Sequence, residues 1–132
     1  MTDRHAFAFD DILARCGGIE QQIAVVRPVG EIIDRTIEGP VGRLRVRLYR
    51  PAGAVARLLP AILYFHGGGW VLGSCETHDD MCAELADGAD CVVVLVDYRL
   101  APENPHPAQL EDSLKVLLWM RSAGRAFGID PE

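Results

Sequence analysis

Residues Ala61-Ile62-Leu63-Tyr64-Phe65-His66-Gly67-Gly68-Gly69-Trp70 run from an unbroken apolar stretch straight into three glycines. An apolar run without polar alternation is the pattern of a strand buried on both faces, as in a parallel sheet. The glycines after it carry no side chains, so several main-chain N–H groups are open to close approach. Acyl transfer develops negative charge on a carbonyl oxygen, and a fixed main-chain donor stabilises it by about 3 kcal/mol. The stretch therefore reads as a strand feeding an oxyanion loop. A phosphate loop is the competing reading and it fails: Gly68 and Gly73 open a Gly-x-x-x-x-Gly-Lys spacing, but Ser74 stands where the lysine belongs, and no Gly-x-Gly-x-x-Gly occurs. A purely structural tight turn is the other alternative, and it has to account for the bracketing His66 and Trp70.

Working outward, residues 91–96 form a second apolar run, and residues 77–89 between the two show helical spacing at Met81, Cys82, Leu85, Ala86 and Ala89. Thr77 is a candidate N-cap, with Asp79 and Asp80 in an acidic first turn. Strand, helix, strand predicts a right-handed crossover. After a proline-rich loop at 101–107, the spacing Leu110, Leu114, Leu117, Leu118 predicts a second helix ending near Gly124 or Gly128. Upstream, strand-like runs at 32–38 and 44–49 flank Gly39-Pro40-Val41-Gly42, which predicts an antiparallel hairpin. Arg43, Arg45 and Arg47 alternate there with Leu44, Val46 and Leu48, and with Arg50 they read as the polar face of a strand. Residues 1–30 hold a short amphipathic segment around Phe7, Phe9, Ile12 and Leu13 before Gly17-Gly18, consistent with a small helix. The expected order is β-β-β-α-β-α, an α/β class, with residues 1–30 as a leading segment and 31–132 as the domain body.

At 132 residues, 49% hydrophobic and 24% charged, the chain has the composition of one globular domain or part of one. A formal charge of −6 with scattered basic residues argues against a nucleic-acid partner. No apolar run approaches the ~18 residues of a membrane span, and the first residues lack the apolar core of a secretion signal, so a soluble cytoplasmic chain is expected. Cysteines at 16, 75, 82 and 91 show no Cys-x-x-Cys spacing, and Cys82 and Cys91 read as small buried apolar groups. The histidines at 5, 66, 78 and 106 never form a His-x-x-x-His pair, so no metal site is expected.

His66-Gly67-Gly68-Gly69-Trp70 resembles the oxyanion motif of the hormone-sensitive-lipase-like (family IV) carboxylesterases, a branch of the α/β-hydrolase fold. Asp97-Tyr98-Arg99-Leu100-Ala101-Pro102-Glu103, followed by Pro107-Ala108, is similar to the segment that family places after its fourth strand, and the similarity extends over residues 30–132. It takes in Gly128-Ile129-Asp130-Pro131, which in the family leads into the strand bearing the nucleophile elbow. The resemblance implies the N-terminal portion of that fold: an antiparallel hairpin leading into a parallel sheet with flanking helices, lacking the C-terminal half. It further implies that Gly68 and Gly69 offer N–H groups to the oxyanion, that Gly67 permits the bend, and that His66 orients the loop through hydrogen bonds. Asp97 is not the triad acid on this basis, because the family places its acid much later; an ion-paired Asp97, Arg99 and Glu103 pinning the proline-rich loop is expected instead. The leading segment would contribute to a cap over the site, and no cofactor or metal is implied.

Ser74, Ser113 and Ser122 are the only serines, and none lies in Gly-x-Ser-x-Gly. Met120-Arg121-Ser122-Ala123-Gly124 half-matches that pattern but lacks the leading glycine and falls late in a helix, so Ser122 reads as a surface residue. Cys75 is the only thiol near the glycine loop, with no basic partner in evidence. The chain is therefore expected to be an N-terminal fragment of a serine carboxylic-ester hydrolase, with nucleophile, acid and base beyond Glu132 and no activity alone. Its substrate, once completed by the missing half, would be a small-molecule carboxylic ester. Truncation, an incomplete gene model and a split enzyme stay open. In that fold the strand at 61–65 neighbours the nucleophile strand, so an open sheet edge and uncovered helix faces are expected, prone to self-association or to a complementing chain. The alternative is a non-catalytic partner or binding module that docks through that edge.

Overall fold

A computed structural model describes residues 30–54 and 56–131, and the expected segment 1–30 lies outside the described residues apart from Gly30. Strands β1 (Glu31–Gly39), β2 (Gly42–Arg50) and β3 (Ala61–Tyr64) precede helix α1 (Asp79–Ala89), strand β4 (Val92–Asp97) and helix α2 (Ala108–Ala123), which runs into a 3-10 turn at Gly124–Phe127. The hairpin pairs in register from Glu31 opposite Arg50 to Gly39 opposite Gly42. Its reversal is set by Gly42, whose φ of +109° lies where side-chain-bearing residues rarely go. The strands form one sheet in the order β1-β2-β4-β3. β4 is antiparallel to β2 and parallel to β3, with Ala61 opposite Val92 and Tyr64 opposite Leu95.

Helices cover both faces of this sheet. Leu44, Val46 and Leu48 of β2 join Val92, Val94 and Val96 of β4 beneath Val116 and Met120 of α2. Tyr49, Val93 and Leu95 pack on the other face against Cys82, Ala83 and Ala86 of α1. β4 is central, so all of Val92 to Val96 are buried, as an unalternated apolar run predicts. The same expectation fails for β3, which is half-buried along its whole length. Its one strand neighbour among the described residues is β4, in line with the open edge expected there, and just before it Leu59 bridges Ile129 in parallel.

The arginine stripe of β2 is a polar strand face, but a roofed one. Arg47, with 12% of its side chain exposed, reaches Asp34 of β1, Glu76 and Asp79 at 2.7, 3.2 and 3.0 Å. Asp79 also accepts the Tyr49 hydroxyl at 2.8 Å, so the acidic first turn of α1 is fastened to β2. Thr77 does not cap α1: His78 occupies the N-cap position without a side-chain bond, while Thr77 Oγ1 accepts the Ser74 N–H at 2.9 Å and closes the preceding turn. In α2 the leucine spacing marks the helix, and the leucines lie on its uncovered face. Leu110, Leu114, Leu117 and Leu118 are 51%, 57%, 44% and 52% exposed, whereas Val116 and Met120 pack on the sheet and Gln109 and Asp112 are buried against the loop after β4. Among the described residues no helix is long and apolar enough to cross a membrane.

Candidate oxyanion site

β3 ends at Tyr64, and two residues later His66 is buried at 4% exposure. Its Nδ1 lies 2.9 Å from the Gly67 carbonyl oxygen and 3.0 Å from the Tyr98 hydroxyl. A carbonyl only accepts, so these partners assign the ring proton to Nδ1. The Tyr98 hydroxyl donates to the His66 carbonyl at 2.6 Å. The turn then falls on Gly68, Gly69 and Trp70, with φ of +128°, +63° and +67°. A Cβ on Gly68 would collide with the Leu72 carbonyl, and Trp70 holds its left-handed backbone at a cost of about 1 kcal/mol. Gly67 has ordinary φ and open space around it, so the bend expected there belongs to the following residues.

This turn sorts the backbone by polarity. The carbonyl of Gly68 accepts from Val71 and Leu72 at 3.1 and 3.0 Å, and that of Trp70 accepts from Ala101 at 2.9 Å. With His66 and Gly67 already paired, four carbonyls of the loop are occupied. Among the described residues the N–H groups of Gly67, Gly68, Gly69 and Trp70 donate to nothing. Occupied acceptors thus stand beside open donors on solvent-exposed glycines. Gly73, at φ +100°, lacks the side chain that would strike the His66 ring, which lets the loop close over that ring.

The neighbouring loop, after β4, is held by side chains. The trio expected of Asp97, Arg99 and Glu103 does not form. Arg99 instead grips Asp112 of α2, with Nε at 2.9 Å from Oδ2 and Nη2 at 2.9 Å from Oδ1, and reaches Glu111 at 3.3 Å. The Arg99 N–H also donates to Asp112 at 3.0 Å, and Asp112 is 1% exposed. Arg99 thus ties the loop to the following helix rather than to Asp97 or Glu103. Asp97 turns the other way, accepting the Cys75 N–H at 3.3 Å and facing Arg45 at 3.6 Å. Glu103 is exposed.

The sequence model of the α/β-hydrolase fold matches residues 62–132, which takes in this glycine loop, β4 and α2. The chain belongs to the α/β-hydrolase family. It is 45% identical to esterase LipI of Mycobacterium tuberculosis over 80% of this chain and 33% of that protein. It is 48% identical to carboxylesterase NlhH of the same species over 65% of this chain and 27% of that one. Among solved structures, an ester hydrolase from the metagenome of Lake Arreo superposes with a TM-score of 0.81 at 40% identity, covering 90% of this chain and 38% of its own. The hyperthermophilic esterase of Pyrobaculum calidifontis gives 0.74 at 46% identity, covering 79% and 33%. The chain thus spans about a third of the length of the proteins it matches. These relatives agree with the resemblance to hormone-sensitive-lipase-like carboxylesterases.

In this α/β-hydrolase chain none of the serines is placed as a nucleophile. Ser74 Oγ accepts the N–H groups of Glu76 and Thr77 at 3.2 and 3.4 Å, inside a surface turn. Ser113 and Ser122 donate to the carbonyls of Gln109 and Trp119 within α2, at 2.7 and 3.2 Å. Burial, with the Asp97 carboxylate adding to it, pushes the wholly buried Cys75 thiol up to about 12, which leaves it protonated and inert. His78 is lowered by burial and then by neighbouring His66, and it bonds Thr77 Oγ1 at 2.9 Å. Sequence reasoning missed Tyr98, Ala101, Asp112 and Gly73. Asp112 had a signal, since it shares the 112, 116, 120 face of a predicted helix with Val116 and Met120.

Proposed function

We propose that this chain supplies the oxyanion-binding part of a serine hydrolase acting on small-molecule carboxylic esters, with the N–H groups of Gly68 and Gly69 as donors and Gly67 leaving room for the substrate. The observation that carries it is the polarity of the loop, in which the carbonyls of His66, Gly67, Gly68 and Trp70 are paired while the N–H groups of Gly67 to Trp70 are open among the described residues. The serine, acid and base would come from polypeptide these residues do not contain. In the complete enzyme the serine oxygen attacks the ester carbonyl while its proton passes to the base. The carbonyl oxygen takes up the negative charge against the glycine N–H groups, and the alkoxide leaves with the proton. Water then repeats the sequence on the acyl-enzyme, and the same donors serve both steps. His66 and Arg99 support the loop without touching the reacting atoms.

Without a nucleophile, binding and oxyanion terms alone give about 10³-fold over water, so the 132 residues by themselves are expected not to turn over esters. The test is a chimera in which this chain replaces the matching third of the Lake Arreo ester hydrolase. It is expected to hydrolyse short-chain nitrophenyl esters; a chimera whose serine reacts with a fluorophosphonate but which shows no turnover contradicts the proposal. A cytoplasmic setting is supported by the free, buried thiols of Cys75, Cys82 and Cys91.

A second reading, a non-catalytic module that docks another chain or a second copy, is favoured by the exposed leucines of α2 and by β3 pairing, among the described residues, with β4 on one side only. Co-purification of the chain with a defined protein at fixed stoichiometry supports docking, and a sharp monomer with a cooperative melt counts against it.

A further inference from the structure

We propose that Tyr98 is the positioning residue of the glycine loop, clamping its entry at His66 while Ala101 clamps its exit at Trp70, so that the N–H groups of Gly68 and Gly69 keep one direction. The proposal rests on the oxyanion role given above to those glycines.

Three contacts of one side chain carry it. The Tyr98 hydroxyl donates to the His66 carbonyl at 2.6 Å. Its ring stacks on the His66 imidazole, with centroids 4.1 Å apart and planes 15° from parallel. Its other flank meets the Trp70 ring edge-on at 5.2 Å and 61°. Tyr98 therefore touches both residues that bracket the glycines. Three residues on, the Ala101 N–H holds the Trp70 carbonyl at 2.9 Å. The pair Arg99 and Asp112 fixes the segment that carries both clamps to α2. A turn made of two left-handed glycines and a left-handed tryptophan has many alternatives open to it in isolation, and preorganised donors need such outside support.

Tyr98 is 3% exposed, and burial pushes its phenol up to about 12, so it remains a donor across the working range and takes no proton in the reaction. Its removal is expected to alter rate without altering the pH profile.

The first test is amide hydrogen exchange in the 132-residue chain and its Tyr98→Phe and Tyr98→Leu variants. Val71 and Leu72 donate to Gly68 and so report the turn, with Val93 and Val94 of β4 as reference. The phenylalanine variant, lacking only the hydroxyl, is expected to speed exchange at Val71 and Leu72 about tenfold, in line with one lost hydrogen bond. The leucine variant, lacking the stack as well, is expected to speed it further, with Val93 and Val94 unchanged in both. Unchanged exchange at Val71 and Leu72, or acceleration everywhere together, overturns the clamp.

The second test puts Tyr98→Phe into the chimera described above. A fall in kcat of about tenfold, with KM and pH profile unmoved, is the expected signature of donors misaligned in the transition state. A raised KM with kcat kept overturns it. If the parent chimera is itself labelled by the fluorophosphonate yet inert, the oxyanion reading fails, and the exchange experiment still decides the clamp.

Discussion

Two loops leave the carboxyl ends of the neighbouring parallel strands β3 and β4, and their hydrogen bonding is opposite in character. The loop after β3 has paired carbonyls at His66, Gly67, Gly68 and Trp70 and, among the described residues, open N–H groups from Gly67 to Trp70. The loop after β4 is closed on itself and on α2 by Arg99, Asp112 and the bond from Asn104 N–H to the Leu100 carbonyl at 2.9 Å. The difference teaches how bare backbone is kept in shape. A chain segment that must leave donors free for a ligand cannot use them for its own folding, so a saturated neighbour supplies the missing constraints. Here Tyr98 and Ala101 are the points of transfer.

The largest break in that comparison is Gly68→Ala. The new methyl meets the Leu72 carbonyl at a φ of +128°, so the loop has to be rebuilt, and in the chimera a loss of kcat of about 10²–10³-fold is expected, as for a lost oxyanion donor. Gly67→Ala, with open space and ordinary φ, is the matched control, expected to fold with an unchanged melting temperature. Equal melting temperatures for the two variants would show that the loop is not fixed as described.

Next in size is Asp112→Ala, which strands Arg99 and frees the clamp segment. Asp112 is buried but Arg99 is a quarter exposed, so the expected cost lies between that of an exposed and a fully buried pair, about 2 kcal/mol, read as a lower urea midpoint. An effect below about 1 kcal/mol, the range of exposed pairs, would place Arg99 in solvent rather than on α2.

The smallest effect lies far from both loops, in the hairpin. The Arg47 hydrogen bond, working against a small burial cost, holds Asp34 at about 2, and Arg45 adds to it. A depressed carboxylate stabilises the fold above its ordinary range near 4, and that stability is lost as pH falls toward 2. Asp34→Asn is expected to flatten the urea midpoint against pH between about 4 and 2 and leave the shape above 5 unchanged. A variant that loses stability equally at every pH would assign Asp34 a packing role.

Much of this was legible in the sequence, because strands and helices announce themselves by period. The hairpin at Gly39 to Gly42, the crossover through α1 and the apolar core of β4 follow from spacing alone. The glycine loop was legible because three consecutive glycines have few structural uses. Partners distant in the chain were not. Arg99 has acidic residues close by at Asp97 and Glu103, yet it pairs with Asp112 on the following helix, since the loop turns its side chain toward α2. Nor does hydrophobicity tell an edge from a centre. β3 and β4 read alike and differ in burial because, among the described residues, β4 has strands on both sides and β3 on one. The left-handed backbone of Trp70 had no signal, since tryptophan carries no preference for it.

The most direct test of the oxyanion role is a crystal structure of the chimera with its serine phosphonylated, because the adduct places an oxygen where the ester carbonyl oxygen carries its charge. That oxygen is expected about 2.7–3.1 Å from both the Gly68 and Gly69 nitrogens, with the Tyr98 bond to His66 intact. An oxygen held by other donors, with the glycine N–H groups still turned to solvent, would contradict it.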